Sequence, residues 1–380
     1  MVGSDGVTHS ADFLVIGAGI AGASVAAELA TDQSVLLLEA ESQPGFHATG
    51  RSAALFIEMY GNRVIRALTR ASRSALFEPP ADFTEAPLTR QRGGLYVASD
   101  GQQGRLDAFA EQEDVRPFAR KLDAAAALAL CPILRPDYVV AGLLDPIAAD
   151  IDAHALHYGY LRQFRRRRGT LLTTRRVDAV SRTNGRWRVQ AGDARFDAAI
   201  IINAAGAWSD LVAGLAGAAP LGLDPLRRTA LLVDPPPGQA IESWPMVIDI
   251  DEQFYFKPDA GRLLLSPADE TPSVPCDAQP EEWDIALAVD RVSAAAGIAV
   301  RSVRRAWAGL RTFAPDRSPV VGFDPLVPGF FWLAGQGGYG LQTAPAMARV
   351  AAALACGRPI PADIADFGVE AASLSPARFG

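Results

Sequence analysis

The sequence predicts an α/β fold in which a parallel sheet carries phosphate-binding turns, with a mixed sheet as a second part. Three observations predict it. A glycine triplet, Gly17-Ala18-Gly19-Ile20-Ala21-Gly22, follows the apolar run Phe13-Leu14-Val15-Ile16 and opens a helix-like stretch that ends near Leu29. A second apolar run, Val35-Leu36-Leu37-Leu38, ends in Glu39, which lies 39 − 17 = 22 residues after the first glycine. Two further strand, small-residue turn, helix patterns occur downstream, at Asp197 to Leu215 and at Phe330 to Leu354.

The three glycines answer different needs. Gly17 allows the tight turn out of the strand, Gly19 lets the backbone approach a pyrophosphate, and Gly22 lets helix and strand pack closely. Gly19, Ile20 and Ala21 stand where the unpaired N–H groups and the positive end of the helix dipole meet phosphate. Glu39 occupies the place where a carboxylate accepts hydrogen bonds from a ribose diol. Together they predict a dinucleotide site.

The next elements follow in chain order. Gly94-Leu95-Tyr96-Val97 is strand-like and Asp123 to Leu130 is an Ala-rich amphipathic stretch. Asp197 to Ile202 is predicted as a buried strand that stops at Asn203-Ala204-Ala205-Gly206, before a helix over Ala207 to Leu215. Phe254-Tyr255-Phe256-Lys257 and Arg262-Leu263-Leu264-Leu265, joined by Pro258 to Gly261, are predicted as a hairpin. Phe330 to Ala334 is a strand before the glycine-dense loop Gly335-Gln336-Gly337-Gly338-Tyr339-Gly340, whose backbone donors suit an anionic or polar ligand, and a helix from Thr343 to Leu354. Three such turns, distant in sequence, imply one cofactor unit assembled from residues 10–90, 145–222 and 314–375. Residues 91–144 and 223–313 would form the substrate-binding unit.

Composition narrows the function class. The 380 residues are 49% hydrophobic and 21% charged, ordinary for a globular chain. The net charge of −7 disfavours nucleic acid or an anionic membrane as the main partner. Arg165 to Arg168 is taken as a solvated helix end before Gly169. Cys131, Cys276 and Cys356 are far apart and odd in number, which supports neither a disulfide framework nor a cysteine metal site. His154 and His157 share a helical face and are assigned a structural role, so no metal site is expected. The uncharged stretch Phe13 to Ala27 is shorter than the roughly 18 residues of a membrane span, and a cytoplasmic protein is expected.

The glycine triplet with Glu39, the segment Gly45-Phe46-His47-Ala48-Thr49-Gly50-Arg51-Ser52-Ala53-Ala54, the Asn203-to-Trp208 turn and the Gly335-to-Gly340 loop together resemble the FAD-dependent D-amino-acid oxidase superfamily. Within it, Asp150-Ile151-Asp152, Trp307-Ala308-Gly309-Leu310-Arg311 and Leu374-Ser375-Pro376 resemble the bacterial D-arginine dehydrogenase group, and the likeness runs over nearly the whole chain. The resemblance implies a glutathione-reductase-like Rossmann domain holding non-covalent FAD beside a mixed-sheet substrate domain. By it, Val177 would sit against adenine. His47, Thr49, Arg51, Ser52, Ala54, Ala205 and Gly206 would line the pyrophosphate and flavin, and Gly337, Gly338, Tyr339, Gly340 and Thr343 the isoalloxazine and ribityl chain.

The chemistry implied is oxidative deamination of a D-amino acid, with an imino acid hydrolysing to a 2-oxo acid and ammonia, and a quinone or other acceptor taking the electrons. Arginine's planar fork suits the substrate carboxylate; by similarity Arg311 is that residue, with Tyr255 adding a hydrogen bond, Arg228 a second cation, and Tyr60 over the substrate. Leu55, Ile57, Gly94, Met246, Ile248 and Gly338 would line the side-chain pocket. Gly94 replaces the glutamate that pairs with the guanidinium in the arginine-preferring group, Leu55 replaces a histidine and Ile57 a threonine. Losing a carboxylate removes a charge-assisted bond worth roughly 1.5–3 kcal/mol, so apolar or aromatic substrates are expected. Two other expectations compete: a secondary-amine oxidase similar to sarcosine or glycine oxidases, and a basic specificity restored by Glu58 or Asp249.

Overall fold

The computed structural model describes residues 8–380. The first sheet has eight strands, and its parallel heart runs Thr170–Leu172, Val35–Leu38, Thr8–Ile16, Ala194–Asn203 and Phe330–Ala334 in spatial order. Residues 13–16, 35–38, 201–202 and 330–334 of these strands are apolar without alternation because both faces are covered there. Val15, Leu37, Ile202 and Leu333 pack into a core with helices Ile20–Leu29 and Gly340–Ala355, while Leu14, Leu36, Ile201 and Trp332 pack into a second core on the opposite face. Successive residues thus serve opposite layers, as the pleat requires. Three antiparallel strands, Ala179–Thr183, Arg186–Ala191 and Val320–Phe323, complete the sheet.

Four of the parallel strands are spatial neighbours and end on one edge, so Gly17, Glu39, the Ala204-to-Gly206 turn and Gly335 arrive together. Gly17 N donates to Leu38 O (2.8 Å) and Ala204 N to Ile16 O (2.9 Å), which fixes these turns against one another. Ligands of open α/β sheets bind at this carboxyl edge.

A nine-stranded mixed sheet stands beside it. Its strands include Gly94–Ala98, Asp224–Val233, Met246–Asp249, Tyr255–Asp259, Arg262–Ser266 and Val303–Phe313. The expected hairpin is present, but its turn is tighter than four residues. Asp259 pairs with Arg262, and Ala260 and Gly261 both have positive φ (47° and 74°), the signature of a type I′ turn. A small third sheet of Leu55–Phe56, Thr89–Gln91 and Ala149–Ile151 joins the segment after the His47 loop to the rest. The mixed sheet is tied to the glycine-dense loop by a bridge between Phe313 and Gln336 and by Gly337 N donating to Thr312 O (2.8 Å).

Candidate active site

A cavity of about 570 Å³ runs along the carboxyl edge of the first sheet. That is within the size range of cofactor pockets. Gly17, Gly19, Ile20, Ala21, Glu39 and Val177 line it, as do His47, Thr49, Arg51, Ser52, Ala205 and Gly206. Gly337, Gly338, Gly340, Arg228, Tyr255 and Arg311 also line it.

The helix N-terminus is built for an anion. Gly19 caps helix Ile20–Leu29 without a side-chain hydrogen bond, and the first turn carries no acid. Thr49 Oγ1 accepts from Ile20 N (3.0 Å). Gly22 does not line the cavity: a Cβ there would lie 1.8 Å from Gly17 O, so its role is to let the helix close on the turn. Glu39 is nearly buried and accepts from Ala18 N (2.8 Å) and Glu41 N (2.9 Å), one bond on each oxygen. A carboxylate offers about four acceptor sites, so capacity for hydroxyl donors remains.

The neighbouring loops hold the middle of the cavity. Arg51 donates to Ala278 O (2.9 Å) and Ala308 O (3.0 Å) and pairs with Asp277, which anchors the His47-to-Ala54 segment to the mixed sheet. The partner of His47 is the Glu41 carboxylate at 3.0 Å, with the Trp208 ring 4.6 Å away. His157 lies under the glycine turn, its Nε2 2.9 Å from Ala18 O; a carbonyl only accepts, so Nε2 carries the proton, and burial holds the ring's pKa below the usual value. Gln336 lines the cavity, and its buried Nε2 has no hydrogen-bond partner. That orphaned donor, the acid-free helix N-terminus and the elongated cavity fit a bound FAD. When bound, FAD supplies a two-electron acceptor.

At the far end lies a smaller chamber of about 50 Å³, roughly the room of a few waters. Arg311, Arg228, Tyr255 and Gly338 line both this chamber and the large cavity. The chamber's remaining wall includes Ala54, Leu55, Ile57, Met246, Ile248 and Tyr60. Strand pairing assembles it: Ile248 is opposite Tyr255, and Gly309 is opposite Arg228 on strand Val303–Phe313, which also carries Arg311. The Leu55-to-Ile57 segment is held by Gln342, whose Oε1 accepts from Ile57 N (3.2 Å) while its amide donates to Thr69 Oγ1 (2.8 Å).

Arg311 has the chemistry of an anchor. Its Nη1 donates to the Tyr60 hydroxyl at 3.1 Å, and among the described residues it has no carboxylate partner. Gly338 packs directly against its guanidinium. Burial pushes the Tyr60 phenol above its ordinary pKa despite the arginine beside it, so it stays protonated at neutral pH. A half-buried fixed cation without a counter-ion suits a ligand carboxylate.

Several expectations need correction. Arg228 is not a free second cation: its Nε donates to Asp269 O (2.8 Å) and its Nη2 lies 3.2 Å from Glu270. Gly94 lines neither chamber and packs on Ala148 instead. Thr343 is buried with its hydroxyl donating to Tyr339 O (2.8 Å), and the Tyr339 ring turns away from the large cavity to stack edge-on with Tyr60 at 4.9 Å. Asp249 is buried and engaged by Gln102, Tyr138 and two backbone N–H groups, and Glu58 is buried beside Arg73; neither lines a chamber. Sequence reasoning missed Gln336, Gln342 and Glu252, the last an exposed acid at the rim of the small chamber. Gln336 and Gln342 flank a loop already singled out for its glycines, whereas nothing in the local pattern marks Glu252.

Among the described residues no group of side chains could hold a metal ion, and no helix is long and apolar enough to cross a membrane. The chain is similar to the uncharacterized oxidoreductase YurR of Bacillus subtilis, with 24% identity over 93% of this chain and 97% of that protein. The fold is similar to that of L-proline dehydrogenase from P. horikoshii (TM-score 0.82, 20% identity, 98% of each chain). It is likewise similar to glycine oxidase from Geobacillus kaustophilus (TM-score 0.81, 20% identity, 96% of this chain and 99% of that one). The profile of the FAD dependent oxidoreductase family DAO matches residues 12–354, and with the glycine turn, Glu39 and the long cavity in place the chain belongs to that family of FAD-dependent oxidoreductases.

Proposed function

We propose that the protein oxidises amino acids at the α-carbon, with D-amino acids bearing apolar or aromatic side chains as substrates and a quinone or other acceptor taking the electrons. The observation that carries this reading is Arg311, a fixed cation without a carboxylate partner at the junction of the two chambers. It would fix the α-carboxylate through a two-point fork, with Tyr60 and Tyr255 beside it. Bound FAD would supply the hydride acceptor, and Arg311, Tyr60 and Tyr255 would hold the α-carbon at the junction of the two chambers. No side chain is needed as a strong base, because an amine that has lost its ammonium proton can release hydride without further proton abstraction by the protein.

The apolar preference is supported by Leu55, Ile57, Met246 and Ile248 in the wall; Glu58 and Asp249 lie outside it, and the acid that does line the chamber, Glu252, stands exposed at its rim. The D preference is supported by the resemblance to D-arginine dehydrogenases. A second reading, oxidation of glycine or a small secondary amine, is favoured by the chamber's 50 Å³ volume and by the fold shared with a glycine oxidase and a proline dehydrogenase.

The test is an anaerobic flavin-bleaching screen with D- and L-forms of leucine, phenylalanine and arginine, plus sarcosine and glycine. Bleaching at least tenfold faster by D-leucine or D-phenylalanine than by D-arginine is expected. Faster bleaching by sarcosine or glycine moves the assignment to the second reading, and bleaching by none of them removes both.

A further inference from the structure

A third cavity, of about 420 Å³, lies on the other side of the Tyr60 ring. Tyr60 and Glu252 line both it and the substrate chamber, so the two spaces share one wall. Tyr60 and Tyr339 close that wall edge to face, and Phe109 and Tyr96 stand opposite, 5.5 Å apart.

Two polar groups in this lining lack partners. The Tyr96 hydroxyl is buried, the residue only 3% exposed, and among the described residues no hydrogen-bond partner meets it. Burial, reinforced by the Glu252 carboxylate, pushes its pKa well above the usual phenol value, so it remains a neutral hydroxyl. Glu252 makes no side-chain hydrogen bond or ion pair among the described residues, although it is held at φ 55°, a conformation uncommon outside glycine.

The other charges of the lining are engaged. Arg105 is forked onto Asp251 at 2.5 and 2.7 Å. Arg317 stacks on Phe313 and reaches Glu270, but that one carboxylate is shared with Arg228. Glu270 is thus shared by two cations and compensates Arg317 only in part, while Glu252 has no contact partner among the described residues and acts on Arg317 only at a distance. A cavity with an unmatched acid, an unmatched hydroxyl and a partly compensated guanidinium is complementary to a ligand carrying both signs.

We propose that this cavity is a second, non-reacting site for an amino-acid zwitterion, with the ammonium on Glu252 and the Tyr96 hydroxyl and the carboxylate toward Arg317. Naming the occupant an amino acid rests on the proposed function; the polarity of the site does not. The site holds substrate one wall away from Arg311, and Tyr60 is the side chain both positions touch.

The probe is radiolabelled 2-aminoisobutyrate, a zwitterion without an α-hydrogen, which can bind but cannot give up hydride. Equilibrium dialysis of the FAD-loaded protein counts all bound probe, and perturbation of the flavin absorbance counts the equivalent at Arg311. Two equivalents are expected, only one of them perturbing the flavin. Glu252→Gln removes the silent equivalent, while Tyr96, which lines this cavity and neither of the other two, is the position at which a variant keeps the flavin-perturbing one. Tyr96→Phe, which preserves the ring packing, weakens the silent equivalent several-fold, up to about tenfold. A single equivalent in the wild type overturns the inference, as does a silent equivalent that both variants bind with unchanged affinity. If no amino acid bleaches the flavin yet the silent equivalent binds and needs Glu252, the functional reading alone fails. If amino acids bleach the flavin and only one equivalent binds, this inference alone fails.

Discussion

Gly338→Ala probes the proposed carboxylate anchor, Arg311, without substituting it. A Cβ built at Gly338 lies 2.7 Å from Arg311 Nη1 and 2.9 Å from Cζ, and the backbone there is not in the left-handed region, so the added methyl is sterically costly only toward the guanidinium. Restoring an ordinary contact of about 3.4 Å displaces the fork by roughly 0.7 Å. The guanidinium is the mobile end of a long side chain, so the fold absorbs the change, but the anchor leaves its place beside Tyr60. A misplacement near 1 Å in a reacting complex costs about 10²-fold. The expected result is a ten- to hundredfold fall in kcat/KM for flavin reduction, with FAD affinity and thermal stability close to wild type. A kcat/KM within twofold of wild type would refute the assignment of Arg311, since a displaced anchor cannot leave an anchored reaction untouched.

Three other outcomes are expected. Gly22→Ala drives a methyl into Gly17 O, 1.8 Å from the ideal Cβ, and should destabilise the protein by about 3 kcal/mol or more; thermal unfolding measures this, and unchanged stability would count against the close helix–strand contact. Gln336→Leu removes a buried amide donor that the protein itself does not satisfy, so apoprotein stability should hold or rise while FAD binding, followed by fluorescence titration, weakens three- to tenfold. Glu58 is buried and its pKa is raised, chiefly by burial, so its charge costs stability above the folded-state pKa and costs nothing below the unfolded value near 4.5. Glu58→Gln should therefore raise the melting temperature at pH 7–8, the gain shrinking as pH falls toward 4; a stabilisation independent of pH would contradict it.

The cofactor edge was legible because each of its turns is local: Gly17 to Gly22 and Asn203 to Gly206 carry their backbone demands within six residues or fewer. The hairpin at Ala260-Gly261 was legible for the same reason. The substrate side was less so. Arg228 loses its availability to Asp269 and Glu270, about forty residues away, and Gly94 faces Ala148 and Asp145 although its strand partner Met246 lines the chamber. Tyr339 sits in a loop correctly singled out, yet its ring is claimed by Tyr60 and Phe313, a choice made by packing between distant segments. Glu252 stands in a turn without a motif, and only the cavities on either side of it give it meaning.

The bridge between Phe313 and Gln336, with Gly337 N bound to Thr312 O, makes one loop the footing of two sites. On one side that loop presents its glycines and Gln336 to the cofactor cavity; on the other, Gly338 backs the guanidinium of Arg311. Ordering the loop from either side lowers the entropy still to be lost from the other. Were binding on one side to order the loop, cofactor and a carboxylate ligand would be thermodynamically linked, and by reciprocity each would tighten the hold on its neighbour by the same factor.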